Sequence, residues 1–180
     1  MESNLSRLHE VITDTVRDTT FEELACQAEG KWSIGQILEH LYLSYTGTVK
    51  GFSKCLQMGM PIVSSSTVKQ RVAAFLITRI GYFPSGRKSP KQAQPRGVDP
   101  HIVMREIGHE IEKMDAVITE CEAQFGRGPV LDHPLLGPLS AAQWRKLHRL
   151  HARHHLRQIA KLKEEYGAKA KPSTEAEGSK

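Results

Sequence analysis

The stretch Trp144-Arg-Lys-Leu-His-Arg-Leu-His-Ala-Arg-His-His-Leu-Arg-Gln158 places two histidines where a helix of this pattern would carry core leucines. Residues spaced three or four apart share one helical face, and here that face consists of Trp144, Leu147, His151, His155, Gln158 and Leu162. An unpartnered buried polar group costs on the order of a few kcal/mol, so both imidazoles need partners. A divalent metal ion shared by the two rings would remove that cost. The stretch therefore predicts a helix and a metal site.

Length and composition are those of one ordinary domain. The 180 residues fit a single core, and the hydrophobic share of 39% and charged share of 25% exclude disorder of the whole chain. No apolar run approaches the roughly 20 residues of a membrane span, and the start Met1-Glu-Ser-Asn-Leu-Ser-Arg7 lacks the regions of a secretory signal. Three separated cysteines suit reduced thiols. We expect a cytoplasmic protein with no membrane partner.

The net charge of +5 raises the question of nucleic-acid binding. Part of the excess comes from basic residues of the last predicted helix, which mostly avoid its inward face: Arg145, Lys146, Arg149, Arg153, Arg157, Lys161 and Lys163. Neither interleaved aromatic residues nor a recognition motif accompanies them, which favours a solvated face over a nucleic-acid surface.

Helix-start signals recur along the chain at intervals that suit antiparallel helices. Apolar spacing predicts a first amphipathic helix over about residues 4–17. A capping box at Thr20–Glu23 predicts a short helix, and another at Ser33–Gln36 predicts a long helix that ends near Met58. A further helical segment is predicted over about 67–82 as an insertion between the bundle helices.

The second half contains two more long helices and two connections. Asp99-Pro100 is a typical helix start, and a capping box at Ser140–Gln143 begins the last helix. The proline-rich stretch 84–100 predicts a long loop, for which a mobile surface is favoured over a cover for a pocket mouth. Helix breakers also fill 126–139, and no part of the sequence predicts a set of strands.

Four principal helices with an additional helix and long loops predict an all-α fold, an antiparallel four-helix bundle. The domain is predicted over residues 1–166. Residues 167–180 have no apolar periodicity, so we expect a disordered tail. Metal sites are commonly built in bundle cores from facing helices.

A third histidine, His40, lies at the border of the apolar stripe on the long second helix. Three neutral imidazoles from His40, His151 and His155 would leave coordination positions open, as in a catalytic zinc site. Nickel, iron or manganese would accept similar geometry.

Three further residues are candidates to line the pocket or support the ligands. Gln158 continues the face of the last-helix histidines, His148 lies three residues before His151, and Ser44 is beside His40 on the predicted helix. Glu39 adjoins His40 in sequence but is expected to face elsewhere. No general base, and hence no catalytic residue, is assigned.

Two of these stretches resemble motifs of the DinB superfamily. Trp32-Ser-Ile-Gly-Gln-Ile-Leu-Glu-His40-Leu resembles the second-helix motif, and His151-Ala-Arg-His-His155-Leu-Arg-Gln158-Ile resembles the final-helix motif. In addition, His133-Pro-Leu-Leu-Gly-Pro-Leu-Ser-Ala-Ala-Gln-Trp144 is similar to a branch described only as a domain of unknown function. The resemblance covers about residues 5–165.

The resemblance implies a DinB-like antiparallel four-helix bundle, a homodimer, and a divalent metal ion on His40, His151 and His155, with zinc or nickel favoured. Relatives in the superfamily include thiol-dependent transferases and isomerases, but the resemblance does not transfer a substrate. The leading hypothesis is a metal-dependent transferase or hydrolase whose ion binds either a low-molecular-weight thiol or a water, with a small electrophile as the second substrate. The alternative is a non-catalytic helical binding or stress-response protein whose metal site is structural or vestigial.

Overall fold

Helices form the four-helix bundle that the sequence predicts. The computed structural model describes residues 5–27, 30–81 and 89–170. In chain order the helices are α1 (Ser6–Val16), α2 (Phe21–Ala25), α3 (Ile34–Met58), α4 (Val68–Phe75), α5 (Pro100–Phe125) and α6 (Ala141–Ala170). A π-helical turn, Leu76–Ile80, continues α4, and a single 3₁₀ turn, Lys91–Ala93, precedes α5. Within the described ranges, none of the helices is both long enough and apolar enough to cross a bilayer.

The predicted capping residues begin the helices. At the start of α3 the Ser33 hydroxyl accepts from the Gln36 N–H, and the Gln36 side chain accepts from the Ser33 N–H. Thr20 caps α2 in the same reciprocal way, and the Asp99 carboxylate accepts from the His101 N–H at the start of α5. These bonds satisfy backbone donors that a helix start leaves unpaired.

The four helices of the bundle are α1, α3, α5 and α6. The core lies where α1 and α3 each pack against α5 and α6. One face of α3 carries residues at helical spacing, and these are buried: Ile34, Ile37, Leu38, Leu41, Tyr45, Thr48 and Phe52. On α5 the residues Ile107, Ile111, Met114 and Ile118, which recur at helical spacing, are buried as well. Met104 is only partly buried, at the edge of this core.

A small β-hairpin connects α5 to α6, where the sequence predicted only an irregular connection. Strands β1 (Pro129–His133) and β2 (Gly137–Ser140) pair antiparallel, and Ile62 forms a parallel bridge with Leu131 of β1. Gly137 has a φ of +69°, a backbone conformation that glycine adopts without steric cost. The expectation that this connection contains no strands was wrong.

Trp144 fixes the hairpin to the bundle. Its indole N–H donates to the Leu131 carbonyl at 3.0 Å, and its ring packs edge-on against Phe52 of α3. The first inward residue of the predicted α6 stripe thus joins β1, α3 and α6.

Two connecting segments differ from expectation. Of the predicted loop 84–100, residues 84–88 lie outside the described residues, and the rest packs against α3 through the 3₁₀ turn. The segment predicted as a helix over 67–82 is helical to Ile80, and its Val72 and Phe75 are exposed. Tyr82 lies outside the described residues.

The last helix extends into the predicted tail, and where the domain ends stays a prediction. Helix α6 continues to Ala170, beyond the domain boundary predicted at 166. Residues 171–180 lie outside the described residues, so their disorder stays a prediction.

Candidate metal centre

Helices α3 and α6 bring three histidine rings together. The Nε2 atom of His151 lies 3.0 Å from Nε2 of His40 and 3.0 Å from Nε2 of His155. One ligand atom from each ring lies within 4.8 Å of both others. Two imidazole nitrogens that share one ion at about 2.0–2.1 Å are themselves roughly 3 Å apart, so the spacing suits a common cation.

Hydrogen bonds to the opposite ring nitrogens orient two of the rings. The carbonyl oxygen of Ala93 lies 2.6 Å from Nδ1 of His40, and Oε1 of Gln158 lies 2.8 Å from Nδ1 of His155. Both partners are acceptors, so both Nδ1 atoms carry the proton. In neutral rings the two Nε2 atoms then present lone pairs toward His151.

Two Nε2 lone pairs, those of His40 and His155, face the single Nε2 atom of His151, and one proton on that atom cannot satisfy both. If Nε2 of His151 carries a proton, its single N–H bond can donate to Nε2 of His40 or to Nε2 of His155, but not to both. The second Nε2 lone pair, also 3.0 Å from Nε2 of His151, is then left without a donor. A cation between the rings would accept all three lone pairs. The donor set therefore fits a divalent metal ion, and neutral imidazoles are ligands for zinc, nickel and iron.

Burial keeps the rings neutral. It lowers the pKa of His155 to about 3, with repulsion from His40 adding to the effect. Burial, followed by repulsion from His155 and His40, holds the pKa of His151 well below its usual range. Burial also lowers the pKa of His40, although the hydrogen bond to Ala93 opposes the shift. At neutral pH the three rings have the protonation state that metal ligation requires.

Gln158 lies beside the centre but not on the buried face that the sequence predicted. The residue is exposed, while its amide oxygen reaches His155 and its amide nitrogen donates to Nε2 of His154 at 3.1 Å. The amide therefore links a buried histidine to the partly exposed His154.

His148 and Ser44 occupy the same α3 and α6 interface. His148 is buried, and its Nε2 lies 2.9 Å from the Thr48 hydroxyl. That hydroxyl donates to the Ser44 carbonyl, so Nε2 of His148 is the donor to Thr48. The Ser44 hydroxyl donates to the backbone carbonyl of His40, and so it bonds the helix rather than the imidazole ring.

Sequence reasoning missed the contacts of His40 with Trp32, with Ala93 and with Ser89, whose hydroxyl oxygen lies 3.4 Å from Nδ1 of the ring. The ring of the partly buried Trp32 lies 5.1 Å from the His40 ring, centroid to centroid. The Ala93 carbonyl comes from the loop before α5 and left no signal in the sequence, because any residue supplies a carbonyl. Glu39 faces away from the rings, as expected, and within the described ranges the cluster able to hold a metal ion contains only the three histidines.

Comparison with known proteins agrees with this architecture. Residues 4–162 match the family model described as "Protein of unknown function (DUF1569)". The chain belongs to this family. It is also similar to a solved structure described as "YfiT from Bacillus subtilis is a probable metal-dependent hydrolase with an unusual four-helix bundle topology", with 19% identity, a TM-score of 0.60, and coverage of 91% of this chain and 83% of that chain. No curated protein matches the chain. At this identity, the likeness to YfiT shows a shared fold.

Proposed function

We propose that this DUF1569 protein is a divalent-metal-dependent enzyme of the DinB superfamily, with His40, His151 and His155 as the metal ligands. The observation that carries the proposal is that Nε2 of His40 and Nε2 of His155 each lie 3.0 Å from Nε2 of His151. On the opposite side of these two rings, the Ala93 carbonyl and the Gln158 amide oxygen accept hydrogen bonds from Nδ1. Zinc and nickel are the favoured ions, and iron and manganese are alternatives.

The chain's own residues would orient the ligands and exclude water from one side of the centre. The Ala93 carbonyl and the Gln158 amide hold two rings with Nε2 directed inward, and the Trp32 ring packs against His40. A divalent ion bound there would act as a Lewis acid that lowers the pKa of a coordinated water or thiol. Three protein ligands would leave at least one coordination position for that molecule.

Two reaction classes follow from the nucleophile. With water the reaction is a hydrolysis, a class that the description of YfiT favours. With a low-molecular-weight thiol it is a transfer of a small electrophile to sulfur, which the DinB resemblance favours. No described carboxylate belongs to the histidine cluster, so both classes would depend on the metal for activation of the nucleophile.

Metal content tests the ligand assignment. The untagged wild-type protein, prepared without chelator, should contain roughly one divalent ion per chain, measured by plasma mass spectrometry. His40→Ala, His151→Ala and His155→Ala should each lose it. His109→Ala removes an exposed histidine of α5 and is the matched control. Wild-type stoichiometry in all three ligand variants would refute the assignment.

Turnover tests the reaction class. The metal-loaded protein should either hydrolyse ester and amide substrates or conjugate low-molecular-weight thiols with electrophiles, and the activity should disappear in His151→Ala. Hydrolysis without added thiol would identify a hydrolase, and strict thiol dependence would identify a transferase.

The second candidate is a non-catalytic binding or stress-response protein with a structural or vestigial metal site. It is supported by the all-histidine cluster, which offers no carboxylate as a general base. A protein that binds metal and is inert with both substrate classes would favour it. The homodimer implied by the resemblance stays a prediction, which sedimentation equilibrium would test.

A further inference from the structure

Glu39 is a buried carboxylate one residue before His40. Its residue is 1% exposed, and both of its oxygens accept hydrogen bonds from backbone N–H groups of the loop before α5. Oε1 accepts from Arg96 at 2.6 Å, and Oε2 accepts from Gly97 at 3.0 Å and Val98 at 3.2 Å. Three consecutive N–H groups therefore converge on one carboxylate, an arrangement of backbone dipoles that suits an anion.

No described lysine or arginine forms an ion pair with Glu39. A buried carboxylate without such partners is costly, so the three loop N–H groups are what make this side chain tolerable inside the protein. Conversely, the carboxylate satisfies three loop donors at once. Glu39 and the loop segment 96–98 are thus mutually dependent.

The same loop also contacts the metal centre. A few residues before the Glu39 contacts, the Ala93 carbonyl accepts from Nδ1 of His40 at 2.6 Å. The turn that carries this carbonyl is held internally, because the Ala93 N–H donates to the Pro90 carbonyl and the Gln94 side chain donates to the Ser89 carbonyl. The loop is therefore bound to two consecutive residues of α3, whose side chains point about 100° apart around the helix.

We infer that Glu39 is a positioning residue for His40. Its carboxylate fixes the loop, the loop places the Ala93 carbonyl on Nδ1, and that bond keeps the proton on Nδ1 with Nε2 directed at His151. The effect on metal binding rests on the function proposed above, whereas the effect on the His40 ring does not require a metal ion. Groups that orient a histidine ligand in this way raise metal affinity.

Glu39→Gln is the direct test, because it retains the size of the side chain, removes its charge and turns an N–H₂ group toward the loop donors. In the metal-free full chain, ¹⁵N chemical shifts of the His40 ring should show a loss of the Nδ1–H tautomer. Competition of Zn²⁺ with a chromophoric chelator should show an affinity lower by about 10–100-fold. Glu110→Gln is the matched control, since Glu110 is also a buried carboxylate but lies on α5.

Glu39→Asp provides a second variant if the glutamine protein does not fold. It keeps the negative charge, but its side chain is one methylene shorter, so the carboxylate lies farther from the N–H groups of residues 96–98. Its His40 shifts and Zn²⁺ affinity should lie between those of the wild type and Glu39→Gln. Wild-type His40 shifts in the folded Glu39 variants would overturn the inference, as would a Zn²⁺ affinity that falls equally in Glu110→Gln. If the wild type binds no Zn²⁺ while Glu39→Gln still changes the His40 tautomer, the proposed function fails and the positioning role stands.

Discussion

The Nε2 atoms of His40 and His151 lie 3.0 Å apart although 111 positions separate the two residues in the chain. Only the packing of α3 against α6 creates this proximity. An ion that binds both side chains would therefore link two elements of the folded bundle, and the unfolded chain would have no equivalent site. Metal binding and folding are coupled in such a case.

Zn²⁺ is expected to stabilise the fold through His151. At a free concentration about a hundredfold above the dissociation constant, a ligand specific to the folded state adds about 2.7 kcal/mol to the free energy of unfolding. For a chain of this length the melting temperature should rise by roughly 5–10 °C, measured by calorimetry with and without Zn²⁺. His151→Ala should melt at the same temperature in both conditions, while His109→Ala should respond like the wild type. An unchanged wild-type melting temperature would contradict the prediction.

Gln158→Ala should weaken Zn²⁺ binding without unfolding the protein. The substitution removes the acceptor at 2.8 Å from Nδ1 of His155, and loss of such a partner reduces metal affinity about 10–100-fold. Because the substitution leaves the buried Nδ1–H of His155 without its acceptor, the free energy of unfolding of the metal-free protein should fall by about 1–3 kcal/mol. Chelator competition and urea unfolding measure the two quantities. Arg157→Ala, at the exposed neighbouring position, is the control, and equal affinities in the two variants would exclude a role for Gln158.

Local sequence signals predicted the helices because their determinants lie within a few residues. The reciprocal bonds between Ser33 and Gln36 need only their own backbone, and the inward spacing of His151 and His155 follows from helical periodicity. The third histidine of the cluster was also predictable, since His40 borders an apolar stripe on another long helix.

Long-range backbone contacts left no such signal. Strand β1 pairs with Ile62 as well as with β2, and the Ala93 carbonyl bonds His40 across 53 positions. Any residue type provides a carbonyl or an amide N–H, so the sequence does not mark these partners. Helical spacing gives only the direction of a residue around the helix axis, and it placed Gln158 on the buried face. In the structure Gln158 is exposed, and its long side chain reaches inward to Nδ1 of His155.

Acid should destabilise the metal-free protein, and His148 should account for part of the loss. Burial lowers the pKa of His148 to about 3 from 6.5, so the folded state keeps this ring neutral while the unfolded chain takes up a proton. The free energy of unfolding is therefore unaffected by this ring above about pH 6.5, and it decreases as the pH falls from 6.5 toward 3, because only the unfolded chain binds the proton in that range. Between pH 7 and pH 5 the loss is about 2 kcal/mol.

Urea unfolding at the two pH values, with a chelator present, measures this difference. In His148→Leu the decrease in the free energy of unfolding between pH 7 and pH 5 should be smaller than in the wild type by about 2 kcal/mol. His109→Leu makes the same chemical change at an exposed position of α5 and should keep the wild-type decrease. An identical decrease in all three proteins would assign the acid sensitivity to other groups.

Gly35 and Gly47 of α3 should respond in opposite directions to replacement by alanine. A Cβ atom on Gly35 would lie 2.8 Å from Cγ of Pro100 and 3.1 Å from the Leu24 carbonyl oxygen, whereas one on Gly47 would meet nothing within 4 Å. Neither a proline ring nor a backbone carbonyl yields easily, so Gly35→Ala should lower the free energy of unfolding by about 1–3 kcal/mol. Gly47→Ala should raise it by up to about 1 kcal/mol, because alanine loses less backbone entropy in a helix. Urea unfolding decides the matter, and stabilisation by both substitutions would show that the contact of α3 with α2 and α5 is looser than these distances require.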